Sequence, residues 1–128
     1  MEETLALWHR SVKEKTTAYF DDLFAEDCVF FSPIVHTPQE GKELTKLYLS
    51  GAVAVLADDF RYIKEVVDGN HAVLEFISIV DGLKVNGVDI ITFDEQGKIC
   101  EFKVMLRPLK AVNLMHAKMQ EMLQQLSA

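Results

Sequence analysis

The run from Phe60 to Pro108, FRYIKEVVDGNHAVLEFISIVDGLKVNGVDIITFDEQGKICEFKVMLRP, decides the fold. Turn signals divide it at Asp68-Gly69-Asn70, at Asp81-Gly82 and at the longer Asp94-Glu95-Gln96-Gly97-Lys98. Asp-Gly pairs supply the positive φ that tight hairpins need. Between the turns lie four stretches rich in Val, Ile, Phe and Thr: Phe60 to Val67, His71 to Val80, Leu83 to Phe93 and Ile99 to Arg107. The pattern predicts strands of an antiparallel meander. Their alternation is imperfect, so apolar side chains fall on both faces, and such a sheet needs cover on both sides.

Upstream, Leu5, Trp8 and Val12 recur at helical spacing behind Glu2 and Glu3, acids suited to a helix N-terminus. Tyr19, Phe20, Leu23 and Phe24 then make a short second helix, with Thr16 or Thr17 placed as its cap. Cys28 to Ser32 favours a strand that stops at Pro33 and opens into a loop, Ile34 to Thr37. Thr37-Pro38-Gln39-Glu40 offers a cap, a proline at the first helical position and a glutamate three residues beyond the cap, which predicts the start of a third helix. Leu44, Leu47, Tyr48, Gly51 and Val55 share one face of it, and the small Gly51, Ala52 and Ala54 would let it approach the sheet closely. Beyond Pro108, the residues Ala111, Met115, Met119, Met122 and Leu126 give a terminal helix with a methionine-rich stripe. Two helices, a strand, a helix, four strands and a last helix make an α+β fold.

Composition bounds the rest. A chain of 128 residues, 49% hydrophobic, fits a single domain spanning 1–128 with a core of its own. With 20 acidic against 13 basic residues, a net charge of −7 and no long basic run, it reads as having no nucleic-acid partner. Cys28 and Cys100 are too few and too far apart for a zinc pattern and sit inside predicted strands as small apolar fillers. The acidic N-terminus and the lack of an apolar run near 18 residues point to a soluble, cytoplasmic protein with no membrane span.

Three segments together, Leu23 to Pro33, Gly41-Lys42-Glu43-Leu44 and Gly87 to Ile99, resemble the nuclear transport factor 2-like (NTF2-like) superfamily, in particular its SnoaL-like and ketosteroid isomerase-like branches. The resemblance covers nearly the whole chain. It implies a cone-shaped, curved antiparallel sheet closed by the N-terminal helices, with the C-terminal helix as an addition. It also implies a largely apolar pocket and commonly a homodimer through the outer sheet face. In the ketosteroid isomerase-like branch a catalytic aspartate precedes the proline that ends the first strand, and a tyrosine on the first helix donates to an oxyanion. Those places are held here by Ser32 and Trp8. The family's acid in the strand before the Asp94 to Lys98 turn is retained as Asp89, so one position of three matches and steroid isomerisation is not carried over.

Asp89 is therefore the first catalytic candidate. It alternates with Val85, Gly87, Ile91 and Phe93, small or apolar neighbours that would raise its pKa toward the range a proton donor or acceptor needs. His36, in the loop after the first strand, is the second. By alternation and by the family register, the ligand-binding set is Phe30, Ser32, Ile91, Phe93, Phe102, Val104 and Leu106, joined by Tyr48 and Trp8. Such a cavity suits a small apolar molecule with one weakly polar end. His9, His71 and His116 show no ligand spacing, and no metal or cofactor motif is present. Arg107 is read as pairing with an acid of the first helices, or else with a ligand carboxylate. The opposite sheet face carries Val73, Ile77, Ile79, Val88, Ile90 and Met105 among Glu75, Glu101 and Lys103, as a dimer surface would. Three readings follow: an isomerase, cyclase or hydrolase using Asp89; a non-catalytic ligand-binding or dimeric scaffold protein; or a cone plugged by the methionine-rich helix.

Overall fold

Asp81 and Gly82 both take positive φ, 50° and 80°, so the two-residue link between the longest strands is the mirror-image turn that matches strand twist. The structure, a computed structural model, describes residues 1–127 and the side chains of 1–125. Leu126, assigned above to the terminal stripe, lies outside the described side chains. The elements in order are α1 (Glu2–Glu14), α2 (Phe20–Leu23), β1 (Phe24–Phe31), β2 (Gln39–Glu40), α3 (Lys42–Val55), β3 (Arg61–Asp68), β4 (His71–Val80), β5 (Leu83–Phe93), β6 (Ile99–Arg107) and α4 (Leu109–Ser127). The architecture is α+β, with one six-stranded sheet in the order β2-β1-β6-β5-β4-β3.

The sheet departs from an all-antiparallel cone in one pair: β1 runs parallel to β6, with Phe30 beside Phe102. It also stays unclosed, with β2 and β3 as its edges. Curvature comes from register shifts between Phe24 and Val29, between Tyr62 and Lys64, and between Thr92 and Phe93. An extra residue on one strand bends it and increases its twist. The shift at Ile63 matters most here, because it re-aims the start of β3 relative to its end.

The strand read as Phe60 to Val67 is Arg61–Asp68, β1 ends at Phe31 and not at Ser32, and three further boundaries differ more from the sequence reading. Phe24 opens β1 instead of closing the short helix, so β1 begins four residues before Cys28. Gln39 and Glu40 are strand, not the first turn of the third helix, because β1 has a free edge there and takes them as partners, Phe30 opposite Gln39 and Val29 opposite Glu40. The helix begins instead after Gly41, whose φ of 102° turns the chain. Thr45 bonds back to the Gly41 carbonyl at 2.9 Å. Of the face read from the sequence, Gly51 is buried and Tyr48 and Val55 pack against the core, while Leu44 is 40% exposed and Thr45 and Leu49 take the most buried places. Gly51 meets α4 and not the sheet, since a Cβ there would lie 3.0 Å from Met119 Cε.

The core fills the concave side of the sheet. Trp8 sits edge-on to Phe102 at 4.9 Å and stacks on Phe20 at 6.2 Å, tying α1 and α2 to β6. Phe60 stacks on Phe76 at 4.9 Å, tying the approach to β3 onto β4. Gly87 faces the same side, and a Cβ there would stand 2.7 Å from the Met105 carbonyl oxygen. Among the described residues, no helix is long and apolar enough to cross a membrane.

Candidate functional site

Asp89 lies at the middle of β5, opposite Leu74 of β4 and Val104 of β6. Residues directly opposite one another across a ladder share a face. Its carboxyl group, 4% exposed as a residue, therefore points to the concave side among side chains that offer no hydrogen bond. One polar group reaches it. Tyr62, from β3 two strands away, donates its O–H to Asp89 Oδ2 at 2.5 Å. Trp8 of α1 in turn donates its indole N–H to the Tyr62 oxygen at 2.9 Å. The indole has a single donor and the phenol a single proton, so the polarity of the chain is fixed from Trp8 through Tyr62 to Asp89.

Burial dominates the electrostatics. It pushes the Asp89 carboxyl up to about 7, partly opposed by the hydrogen bond from Tyr62, which favours the ionised form. The Tyr62 phenol is pushed well above its usual value by burial first and then by the neighbouring Asp89. Tyr62 thus remains a donor at neutral pH, while Asp89 is divided between its acid and its base.

These groups open onto a cavity of about 440 Å³. Its floor is Asp89, Phe76, Phe102 and Val104, and one wall is the Leu49, Val53 and Leu56 side of α3. Trp8, Val12, Phe60 and Tyr62 form the other wall. His9, Lys13, Lys15 and Arg61 lie along the same hollow where it meets solvent. His9 is held there by Glu65 at 2.5 Å and stands edge-on to the Tyr62 ring at 5.4 Å.

A second hollow of about 210 Å³ lies beyond Ala52, Leu56 and Val104, which border both. It is lined by Phe30, Ser32, Tyr48 and Leu106 together with Met115 and Met119 of α4. The residues named from the sequence therefore divide. Trp8, Asp89, Phe102 and Val104 border the first cavity, and Phe30, Ser32, Tyr48, Leu106 and again Val104 border the second. Ile91 and Phe93 are fully buried in the packed core and line neither. His36 is exposed in its loop and lines neither. The Ser32 hydroxyl accepts from the Ile34 N–H at 3.0 Å, so it shapes the loop after β1 and does not meet Asp89. The methionine stripe packs against α3 and beside the second hollow, leaving the first unfilled.

Other expectations shift as well. Arg107 donates to Asn86 Oδ1 at 3.1 Å on the outer face and pairs with no acid of the first helices. Burial pushes the Cys28 thiol to about 11 and that of Cys100 upward, so both stay protonated at neutral pH. No group of three or more His, Cys, Asp or Glu among the described residues is placed to hold a metal. Sequence reasoning missed Tyr62 altogether. The available signal was that Phe60 and Tyr62 are two aromatics at period two, on one face, just before the meander's first turn.

Comparison with known proteins places these features. A family model described as a SnoaL-like domain matches residues 5–102. The structure of a steroid delta-isomerase from Pseudomonas aeruginosa is 32% identical, with a TM-score of 0.93, and the match covers 99% of this chain and 94% of that one. An NTF2-like protein of unknown function from Mesorhizobium loti shares the fold at 18% identity, with a TM-score of 0.73 over 84% of this chain and 90% of that one. The epoxide hydrolase/cyclase-like enzyme SalBIII, which has a role in pyran ring formation in the polyether salinomycin, also shares the fold. It is 20% identical with a TM-score of 0.67, over 83% of this chain and 89% of that one. No curated protein sequence matches the chain.

Proposed function

The chain belongs to the SnoaL-like domain family of NTF2-like folds, and from that premise we propose that it binds a small apolar molecule in the larger cavity and moves a proton on it with Asp89. The observation that carries this reading is a buried carboxyl at the floor of an apolar hollow, titrating near 7 and held in place by a hydrogen-bonded tyrosine. A carboxyl poised near the working pH can both take and return a proton, which acid–base catalysis requires of one group. The volume falls within the range of ligand sites, roughly 300 to 1,000 Å³. Tyr62 fixes the carboxyl rotamer and Trp8 fixes Tyr62, so both are positioning residues for Asp89.

The reaction class is proton transfer at, or next to, a carbonyl or ether oxygen of a cyclic substrate, as an isomerase, cyclase or hydrolase performs. The names of the Pseudomonas isomerase and of SalBIII support this range. Steroid isomerisation itself is not the reading, because Ser32 faces a different hollow and supplies no second acid–base group beside Asp89. The same observation favours a second reading, ligand binding without chemistry. Apart from Asp89 and Tyr62, the histidine that borders the cavity, His9, is held by Glu65. A second copy of the chain on the outer sheet face completes the proposal. Val66, Ile79 and Met105 are 53%, 37% and 50% exposed there, and Lys64 and Lys103 lie among Glu75 and Glu101 so that a two-fold axis would match opposite charges.

The test uses the single tryptophan, which borders the cavity. Titration with cyclic enones is expected to change Trp8 emission saturably. Turnover of any enone processed should fall about a hundredfold or more in Asp89→Asn while its binding is kept. Unchanged turnover in the variant defeats the proton-transfer reading, and unchanged emission across the panel defeats the binding reading.

A further inference from the structure

The cavity mouth runs against the charge of the whole molecule. The chain carries −7, yet the charged residues that border the cavity are Lys13, Lys15 and Arg61, with Asp89 as the one acid. Elsewhere some cations are in ion pairs, Arg10 with Glu14, Lys42 and Lys46 with Asp21, Lys118 with Asp81, and others such as Lys84 and Lys110 are scattered singly; the cavity mouth is where three gather around one hollow. Lys13, Lys15 and Arg61 make no ion pair among the described residues. The acids nearest in sequence are already engaged or turned away. Glu14 feels Lys13, but its two oxygens are held by Arg10 Nε at 2.6 Å and by the Tyr19 O–H at 2.8 Å. Glu65 is held by His9, and Asp58 and Asp59 are exposed and do not border the cavity. Lys15 is carried past the end of α1 in the left-handed region, φ 54°, so the chain turns there while still bordering the hollow. The outcome is an apolar pit, with its carboxyl at the bottom and three cations without ion-pair partners at its entrance.

We propose, resting on the binding reading above, that the substrate is an apolar acid: a hydrophobic body that fills the cavity toward Asp89 and one anionic group that stays at the mouth among Lys13, Lys15 and Arg61. An anion at the floor would meet Asp89 and lose its water in apolar surroundings, so the two ends of such a molecule have only one favourable order. Cations lining an entrance of low dielectric also concentrate anionic ligands, against the repulsion of a net negative protein. The acid acts as a handle that sets which atom of the body reaches Asp89.

Two probes with one apolar body decide it: 1-anilinonaphthalene-8-sulfonate and the uncharged N-phenyl-1-naphthylamine. Occupancy is read as energy transfer from Trp8, which borders the cavity. The sulfonate is expected to bind about tenfold more tightly at low salt, three exposed charge contacts each giving a factor of about two. The advantage should shrink as salt is added. In the variant Lys13→Gln, Lys15→Gln, Arg61→Gln that advantage should vanish, while the uncharged probe binds as before. All three side chains are exposed, so the fold does not depend on them, and the unchanged uncharged probe verifies it. Equal affinities in the native protein, or a sulfonate advantage that survives the triple substitution, overturn the apolar acid and leave the binding reading standing. Failure of both probes to accept energy from Trp8 overturns both.

Discussion

Replacing Asp89 by Asn removes one titrating proton from a buried site and leaves its shape, and its effect on stability follows from linkage. The Asp89 carboxyl is raised from 3.8 to about 7, with burial as the main cause. The native state therefore holds a proton through the interval from about pH 4 to pH 7 that the unfolded chain has given up. Stability is greatest below that interval, falls as pH rises through it and levels off above about 7. At about 1.4 kcal/mol per unit, three units amount to about 4 kcal/mol lost between pH 4 and pH 8. In Asp89→Asn the amide oxygen still accepts from Tyr62, and no charge is forced into the apolar floor. The amide carries one more donor than the neutral acid, and an unmet donor costs about 1 kcal/mol. The variant should thus be about 3 kcal/mol more stable than the native protein at pH 8 and about 1 kcal/mol less stable at pH 4. Urea unfolding of both proteins across that range measures the difference, and all other titrating groups cancel in it. Parallel pH profiles, or an Asn variant that is less stable at pH 8, would refute a buried, uncompensated carboxyl.

Tyr62→Phe deletes the one hydrogen bond that favours the ionised form of Asp89, so the carboxyl should titrate higher than in the native protein. Carbon NMR of the Asp89 carboxyl reads this directly, and a lower or equal midpoint would show that Tyr62 does not donate to it. On the outer face, a symmetric dimer burying roughly 1,200 to 2,000 Å² is expected at micromolar concentration, and Met105→Lys should disperse it. Light scattering at the mass of one 14.5 kDa chain for the native protein would remove the second copy from the proposal.

The meander was legible because its information is local. Gly69, Gly82 and Gly97 take positive φ at the turns where the sequence put them, and His71–Val80, Leu83–Phe93 and Ile99–Arg107 begin and end as read. The start of α3 was not legible for the opposite reason. Thr37-Pro38-Gln39-Glu40 has the local chemistry of a helix start, but the backbone of Gln39 and Glu40 is claimed by the free edge of β1. A strand edge left without a partner is a non-local demand that a capping pattern does not register. Leu44, read as part of the buried face, falls in the exposed first turn that follows Gly41, while Gly51 further along is buried as read.

The site shows the same division at finer grain. Alternation along β5 sufficed to place Asp89 on an apolar face, because Gly87, Asp89 and Ile91 follow one another on a regular stretch of strand. It could not supply Tyr62, whose side chain arrives from two strands away across Leu74, nor show that Ile63 is the residue at which β3 changes face. Before that shift Tyr62 points to the cavity, and after it Lys64 and Val66 border the outer groove while Glu65 meets His9 over the mouth. One inserted residue therefore sets both the hydrogen bond beneath the cavity and the charge above it. The partner of a buried acid is fixed by where a sheet bends, and bending is a property of paired strands that no single strand's pattern contains.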